Sequence, residues 1–408
     1  MSMRSFLFLQ AVCSPFFPRL ADRLAADGHR IYRVNFNGGD TAYWGMRPAW
    51  SFRGSLDTLP CFLDEKFRSF HITDLVLFGD RRPVHLSAIR CAKARAMRIH
   101  VFEEGYFRPY WITLERDGVN GNSLLPRDPD WYREVGASLP DYGDGEPFQS
   151  NLRARAMHDM AYHLANLINP LLFPRYRTHW PYVSAVEYAG YARRFPALPF
   201  QARRARVIIN KLLHSGEPYY LLPLQLNTDA QILHHSPFTN MTDVINYVMR
   251  SFAEHAGSDA RLVIKNHPLD TGLENYRRII RRLERRFDVD GRVEYLETGD
   301  LSALLSRAQG VITVNSTVGL PSLMQGRPTI ALSNPIYNFP GLTFQGPLDA
   351  FWREGTAPDS ELFRRFRNTV IHTTQVNGGF YSAQGIEMAV SNSLRRLESE
   401  RSPLDALL

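Results

Sequence analysis

Short apolar runs alternate with longer amphipathic stretches along most of this chain. Residues 4–12 read as a buried strand, 17–27 as a helix closed by Gly28, and 29–36 as a second strand. A strand–helix–strand start implies a parallel sheet. The alternation continues with a helix at 56–67, a strand at 74–78, a helix at 84–96 and a strand at 98–102. It weakens over 107–150, where Asp117-Gly118, Asn120-Gly121 and Asp144-Gly145 mark turns, so this stretch reads as hairpin and loop material. Residues 152–169 resume a helical period, and Tyr188–Arg206 is helical and rich in arginine. After a junction near 200–215 the pattern restarts. Strands at 219–226, 261–265, 292–296, 310–314 and 328–332 alternate with helices at 241–256, 273–287, 301–308 and 318–325, and residues 383–397 read as a last helix. The pattern predicts two α/β domains: residues 1–205, with a loop-rich insertion at about 107–150, and residues 206–380. A C-terminal helix within 381–408 is expected to pack back on the first domain.

Composition narrows the class. Hydrophobic residues make up 44% and charged residues 22% of the 408, ordinary values for a globular chain with ample core. Cys13, Cys61 and Cys91 are odd in number and widely spaced, which gives neither a disulfide framework nor a metal-binding pair and points to a reducing compartment. No run approaches 18 apolar residues, and the apolar start, broken at Gln10, runs on into a strand and helix rather than a leader peptide. The net charge of +7 favours an anionic partner over a cationic one, although an ordinary basic surface has the same signature. The arginines of 277–286 read as a solvated helix face, so a nucleic-acid partner rests on charge alone and is not expected.

The candidate chemistry gathers where strands end, because ligands of open α/β sheets bind outside the carboxyl ends of the strands. The run 220–226 leads into Gln225 and Asp229, the run 262–265 into Lys265-Asn266-His267-Pro268, and the run 310–314 into Asn315-Ser316-Thr317-Val318-Gly319. Asp229 suits a nucleophile, a base or a ribose ligand, and spacing does not choose among them. Pro268 stops its strand and presents His267 for titration or for donation to a phosphate. Ser316 or Thr317 is expected to cap a helix whose free N–H groups make an anion site, although capping alone would explain the hydroxyls. In the first half, Glu103 and Glu104 close a strand before Gly105 and face opposite sides if the strand continues through both; the competing reading is one ion-paired and one solvated carboxylate. The glycine-rich Asn37-Gly38-Gly39-Asp40 is no dinucleotide fingerprint and opens no clear helix. The aromatics of 41–53 suit either a sugar or lipid site or a packed loop. The apolar, aromatic and basic mixture of 170–180 suits either a membrane surface or an interdomain brace. No HExxH motif or matched metal triad occurs, and no bound metal or cofactor is expected.

Seven motifs lie in order across about two-thirds of the chain: FRGSLD at 52–57, TDLVLFGDRRP at 73–83, VFEEGYFRPYWITLE at 101–115, GVNGNS at 118–123, PLQLNTD at 223–229, KNHP at 265–268 and VNSTVGLPSLMQGRP at 314–328. With them the chain resembles the bacterial capsule polysaccharide biosynthesis and export proteins of the KpsS type, relatives of the KpsC type. The resemblance implies a GT-B-like fold, two Rossmann-like domains facing a cleft. It implies a retaining β-Kdo transferase that uses CMP-Kdo and places the first Kdo on a phosphatidylglycerol-type lipid at the cytoplasmic face of the inner membrane, alongside a KpsC-type transferase and the export machinery. By motif the catalytic roles fall on Asp229, His267 and either Glu103 or Glu104. Where the KpsC-type pattern has Glu-Asp-Gly this chain has Glu103-Glu104-Gly105, and Glu103 is the position shared by both. The donor phosphate would meet Lys265, His267, Ser316 and Thr317, within a donor site that also includes Gln225, Asn315 and Gly319, and the Kdo carboxylate would meet Arg81, Arg82 or Arg108. Two other readings stand beside this one: a non-catalytic membrane scaffold for capsule export, and a nucleotide-sugar epimerase or a transferase with another donor.

Overall fold

The computed structural model describes residues 3–149, 152–177, 184–227 and 236–408. The chain divides into two units. The first comprises Met1–Leu125, Leu139–His179 and Arg367–Leu408, and the second Pro126–Ser138 and Trp180–Phe366.

The first unit is built on seven strands: β1 (Ser5–Phe8), β2 (Arg30–Asn35), β3 (Trp50–Ser51), β4 (Asp74–Phe78), β5 (Arg98–Glu104), β6 (Trp111–Arg116) and β12 (Gln375–Asn377). Their order is β12-β6-β5-β4-β1-β2-β3. The pairs from β5 to β3 are parallel, while β6 and β12 add on antiparallel. Side chains alternate across the sheet as a period of two requires. Phe6, Phe8, Val76, Phe78 and Phe102 pack on one face under the helices Phe16–Ala26 and Ala383–Glu398. Leu7, Leu75, Leu77, Ile99 and Val101 pack on the other under Leu59–Ser69 and Pro83–Lys93. The expected C-terminal helix therefore does cover the first sheet. The chain returns earlier than expected, within the helix Ser360–Thr374, because β12 must reach the edge of β6.

The second unit holds β7 (Tyr219–Pro223), β8 (Arg261–Lys265), β9 (Val293–Leu296), β10 (Gly310–Thr313) and β11 (Thr329–Ala331), all parallel, in the order β11-β10-β7-β8-β9. The helix Met241–His255 covers one face through Val244, Ile245, Val248 and Phe252. The helix Leu198–Ser215 covers the other through Ala205, Ile209 and Leu212. That apolar face is why the chain from Trp180 onward belongs to this unit and not to the first, as the 205/206 boundary had it. Pro126–Ser138, expected within the first domain's insertion, belongs here too. Tyr132 stacks on Phe339 at 5.2 Å, and Arg127 donates to the Ile336 carbonyl at 2.9 Å.

One local expectation is corrected, and one open alternative is decided. Asn37-Gly38-Gly39-Asp40 does open a helix, Gly38–Trp44, with the Asn37 side chain accepting from the Asp40 N–H at 2.7 Å. The aromatics that follow are packed rather than open: Trp44 and Phe52 are buried, and Trp50 stacks on Tyr32.

Candidate functional site

In the second sheet, β7 leads to β8 on one side while β10 lies on the other, so the strand order reverses between β7 and β10. Ligands of open α/β sheets sit at this reversal. The side chains that meet there are Gln225 and Asn315, both buried. Gln225 Nε2 donates to Asn315 Oδ1 at 3.0 Å, and the Asn315 N–H donates to Gln225 Oε1 at 3.2 Å. The reciprocal pair ties the two strand ends together. Asp229, to which the resemblance gives a catalytic role, lies outside the described residues.

Next to the reversal, β8 ends in Lys265 and His267. Lys265 is buried, and burial followed by the nearby Arg194 charge pushes its ammonium below the ordinary lysine range, against an opposing pull from Asp300. The loop after it is tightly determined. The His267 N–H donates to Asn266 Oδ1 at 2.8 Å, and His267 Nδ1 accepts from the Leu269 N–H at 3.1 Å. An Nδ1 that accepts leaves the proton of the neutral ring on Nε2, so His267 is arranged to donate from Nε2.

Arg194, from the helix Ser184–Arg194, holds this loop from behind and was not singled out from the sequence. Its guanidinium, 6% exposed, donates to Glu297 Oε1 at 2.6 Å and to the carbonyls of Pro268 at 2.9 Å, Asp270 at 2.6 Å, His267 at 3.2 Å and Glu297 at 3.4 Å. Burial alone would raise the Glu297 carboxyl. The hydrogen bonds from Tyr295 and Arg194, the Arg194 charge and the bond from Asn266 outweigh it and hold the carboxyl below its ordinary range. A cavity of about 330 Å³ opens beside this cluster, lined in part by Arg194, Asn266, Asp270, Arg277, Tyr295 and Glu297. Nothing local in the sequence marks Arg194; among many arginines, only tertiary contact distinguishes it.

The segment after β10 differs from expectation. The helix is only Gly319–Met324, its N-cap is Val318, and neither Ser316 nor Thr317 caps it through the side chain. Ser316 Oγ accepts instead from the Val318 N–H at 3.2 Å, closing a tight turn before the helix begins. The Ser316 carbonyl accepts from Tyr337 OH at 2.5 Å, and the Thr317 carbonyl accepts from the Leu320 N–H at 3.1 Å. A Cβ on Gly319 would lie 2.3 Å from the Tyr337 ring, so close packing requires the glycine.

In the first sheet the order reverses between β1 and β4. Arg82, after β4, donates to the Ala11 carbonyl at 2.8 Å and lies over the Phe78 ring. Arg81 donates to Asn122 Oδ1 at 2.9 Å, and Arg108 Nε donates to the Gly105 carbonyl at 3.3 Å. The two glutamates at the end of β5 do face opposite sides. Glu103 Oε1 accepts from the Glu104 N–H at 2.9 Å, and its other oxygen lies 3.2 Å from where a Cβ on Gly79 would sit. Glu104 Oε1 pairs with Arg155 at 3.3 Å and accepts from Tyr381 OH at 3.2 Å. At Gly105, which follows them, a Cβ would lie 2.0 Å from the Trp111 carbonyl oxygen, so close backbone approach excludes any side chain.

With both sets of strand ends placed, the comparison with known proteins is decisive. A family model described as capsule polysaccharide biosynthesis protein matches residues 73–381. The chain belongs to this family. It is 36% identical over 386 residues to the capsule polysaccharide export protein KpsS of Escherichia coli, covering 93% of this chain and 98% of that one. It is also 36% identical over 392 residues to the capsule polysaccharide modification protein LipB of Neisseria meningitidis serogroup B, covering 93% and 92%. Among solved structures, the Thermosulfurimonas dismutans KpsC β-Kdo 2,7 transferase superposes over 96% of this chain and 99% of that one, at 14% identity and a TM-score of 0.46. The capsule family match contains Glu103, Glu104, His267 and Ser316 alike. No helix among the described residues is long and apolar enough to cross a membrane, and none of their His, Cys, Asp and Glu side chains form a group of three or more that would hold a metal.

Proposed function

We propose that this protein is a glycosyltransferase that moves the first β-Kdo from CMP-Kdo to a phosphatidylglycerol-type lipid, starting the poly-Kdo linker of a capsular polysaccharide. It would work as a peripheral protein at the cytoplasmic face of the inner membrane, beside a KpsC-type transferase and the export machinery. The observation that carries the reading is the concentration of family motif residues at the strand-order reversal of the second sheet, where Gln225 and Asn315 pair next to Lys265 and His267. A nucleotide sugar presents an anionic phosphate, and a donor from His267 Nε2 together with a buried ammonium suits a departing CMP.

The chemistry is a double displacement. The Asp229 carboxylate attacks the anomeric carbon, and the bond to the CMP oxygen breaks with its electron pair leaving on CMP. A glutamate, Glu103 or Glu104, takes the proton of the lipid hydroxyl. That oxygen then attacks the anomeric carbon, the Asp229 ester breaks, and two inversions return the β configuration. Glu103 is the favoured base, as the position shared with the KpsC-type pattern. Arg81, Arg82 and Arg108 are the guanidinium candidates for the sugar's own carboxylate. No metal or organic cofactor takes part in these steps.

The test is incubation of purified protein with CMP-Kdo and a fluorescent phosphatidylglycerol, followed by product mass. One added Kdo, lost in Asp229→Ala, is the expected result. Intact donor and unmodified lipid, with capsule assembly in cells unaffected by Asp229→Ala, would overturn the reading in favour of a scaffold.

A further inference from the structure

The helix Leu152–Ala165, continued by a 3-10 turn at Asn166–Ile168 and the short helix Asn169–Leu172, is inverted. Arg155, His158, Tyr162, Asn166 and Asn169 make hydrogen bonds or ion pairs with the rest of the first unit. Tyr162 OH accepts from Asn37 Nδ2 at 2.8 Å and donates to Asp40 at 3.1 Å. Asn166 and Asn169 accept from the Gly39 and Gly38 N–H groups at 2.8 and 2.7 Å, Tyr43 OH meets His158 at 2.8 Å, and Arg155 pairs with Glu104. The apolar residues face outward: Met157, Met160, Leu164, Leu167, Ile168 and Leu171 are between 48% and 79% exposed. Their spacing of three and four puts them on one stripe, about 21 Å long at 1.5 Å per residue. A water-facing helix in a globular protein has the reverse arrangement, and a contiguous exposed apolar stripe marks a contact surface.

Charge selects the occupant. Arg153 stands at one end of the stripe and Arg175 and Arg177 at the other, all exposed, and Asp159 is the one acid in 152–177. A second copy packed stripe to stripe about a two-fold axis would set arginine against arginine in either direction. An anionic bilayer meets apolar side chains with its acyl boundary and arginines with its phosphates. We infer that this stripe is the surface by which the protein lies on anionic phospholipid, with the helix parallel to the bilayer plane. The same helix holds Glu104 through Arg155, so docking would bring the carboxyl ends of the first sheet to the lipid surface. The inference rests on the proposed function only for the lipid nature of the acceptor, and its test contains no donor, so a failed transfer assay leaves it standing.

The full chain is floated with vesicles of phosphatidylcholine alone and with vesicles containing phosphatidylglycerol. Binding to the anionic vesicles at least tenfold above the neutral ones is expected. Leu164→Gln with Leu167→Gln should lower that binding at least tenfold without shifting the unfolding midpoint, since both side chains point to water. Arg175→Gln with Arg177→Gln should flatten its salt dependence. Parent protein that ignores anionic vesicles, or a double leucine variant that binds them as well as the parent does, would overturn the inference. So would self-association of the parent that the leucine changes abolish while vesicle binding is unchanged.

Discussion

Arg194→Ala is the sharpest test of how the His267 loop is held. Removing the guanidinium leaves the Glu297 carboxylate without its cation and takes the donor from four carbonyls, those of His267, Pro268, Asp270 and Glu297. Breaking a buried ion pair from one side costs about 3–5 kcal/mol. The cavity beside Arg194 admits water to the stranded groups, and Tyr295 and Asn266 still donate to Glu297, so the lower end, about 3 kcal/mol, is the expected cost. For a unit of about 200 residues that lowers its unfolding midpoint by about 6–12 °C. Lysine at 194 keeps the charge but cannot fork across several acceptors, and should recover less than half of the loss. The pH dependence adds a sign. The Glu297 carboxyl is depressed below its ordinary 4.5, so the pair's stabilisation is present above that pH and is lost as pH falls through the lower folded value. The gap between wild type and Arg194→Ala must therefore shrink on acidification. In donor turnover, a displaced loop should lower kcat more than it raises KM, and added guanidinium should restore part of it. Calorimetry showing a midpoint within 2 °C of wild type, or a gap that is constant down to acid pH, would refute the assignment of Arg194 as the positioning residue.

Four further outcomes are expected. Asn315→Ala strands the buried Gln225 amide and should cost about 1–3 kcal/mol, with a double-mutant cycle against Gln225→Ala returning a coupling of about 1 kcal/mol in denaturant unfolding. Lys265→Met removes an ammonium whose folded pKa is depressed and which therefore opposes folding at neutral pH; it should raise stability by about 1–2 kcal/mol while abolishing donor turnover, and a loss of stability would contradict the burial argument. Burial pushes His100 down to about 4 against its bond to Asp74, so its contribution is present above 6.5 and fades as pH falls toward 4; midpoints measured across that window should decline, less steeply in His100→Gln. Gly105→Ala drives a methyl into the Trp111 carbonyl and should cost about 3 kcal/mol or more, read as a lowered midpoint together with loss of transfer.

Strand ends were legible in the sequence because two signals coincide there: an apolar run of period two or a buried run, and a burst of polar residues after it. β4, β8 and β10 end within one residue of where those signals place them, while β5 runs on through Glu104 and β7 stops at Pro223, three residues short; the helix covering the first sheet at Ala383–Glu398 was equally clear. The helix Gly38–Trp44 was missed because two glycines oppose helix formation. The structure gives the reason they are there: a Cβ on Gly38 would lie 2.2 Å from the Ala165 carbonyl, and one on Gly39 2.6 Å from the Tyr162 ring. Close packing by a helix more than 100 residues later overrides the local preference. β12 has three residues, too few to carry a period, and exists because β6 offers it an edge.

The side chains that support the site were not legible for a related reason. A residue that meets substrate can be found from its own strand end, but the residue that fixes it comes from another element with no local mark. Arg194 reaches the His267 loop from a helix about 70 residues earlier in the chain, and Tyr337 reaches the Ser316 carbonyl from a loop after β11. Tyr162 and Arg155 reach Asn37 and Glu104 from the inverted helix. That last case explains the inversion itself. A helix whose inner face must supply hydrogen bonds to a glycine pair, an asparagine and a glutamate has no room there for an apolar stripe. Its hydrophobic residues then stand on the outside, where only a second apolar phase can bury them. Polar work on the inner face and lipid contact on the outer face are thus two consequences of one pattern, and separating them by mutation, Leu164 and Leu167 against Tyr162, distinguishes docking from support of the first sheet's carboxyl ends.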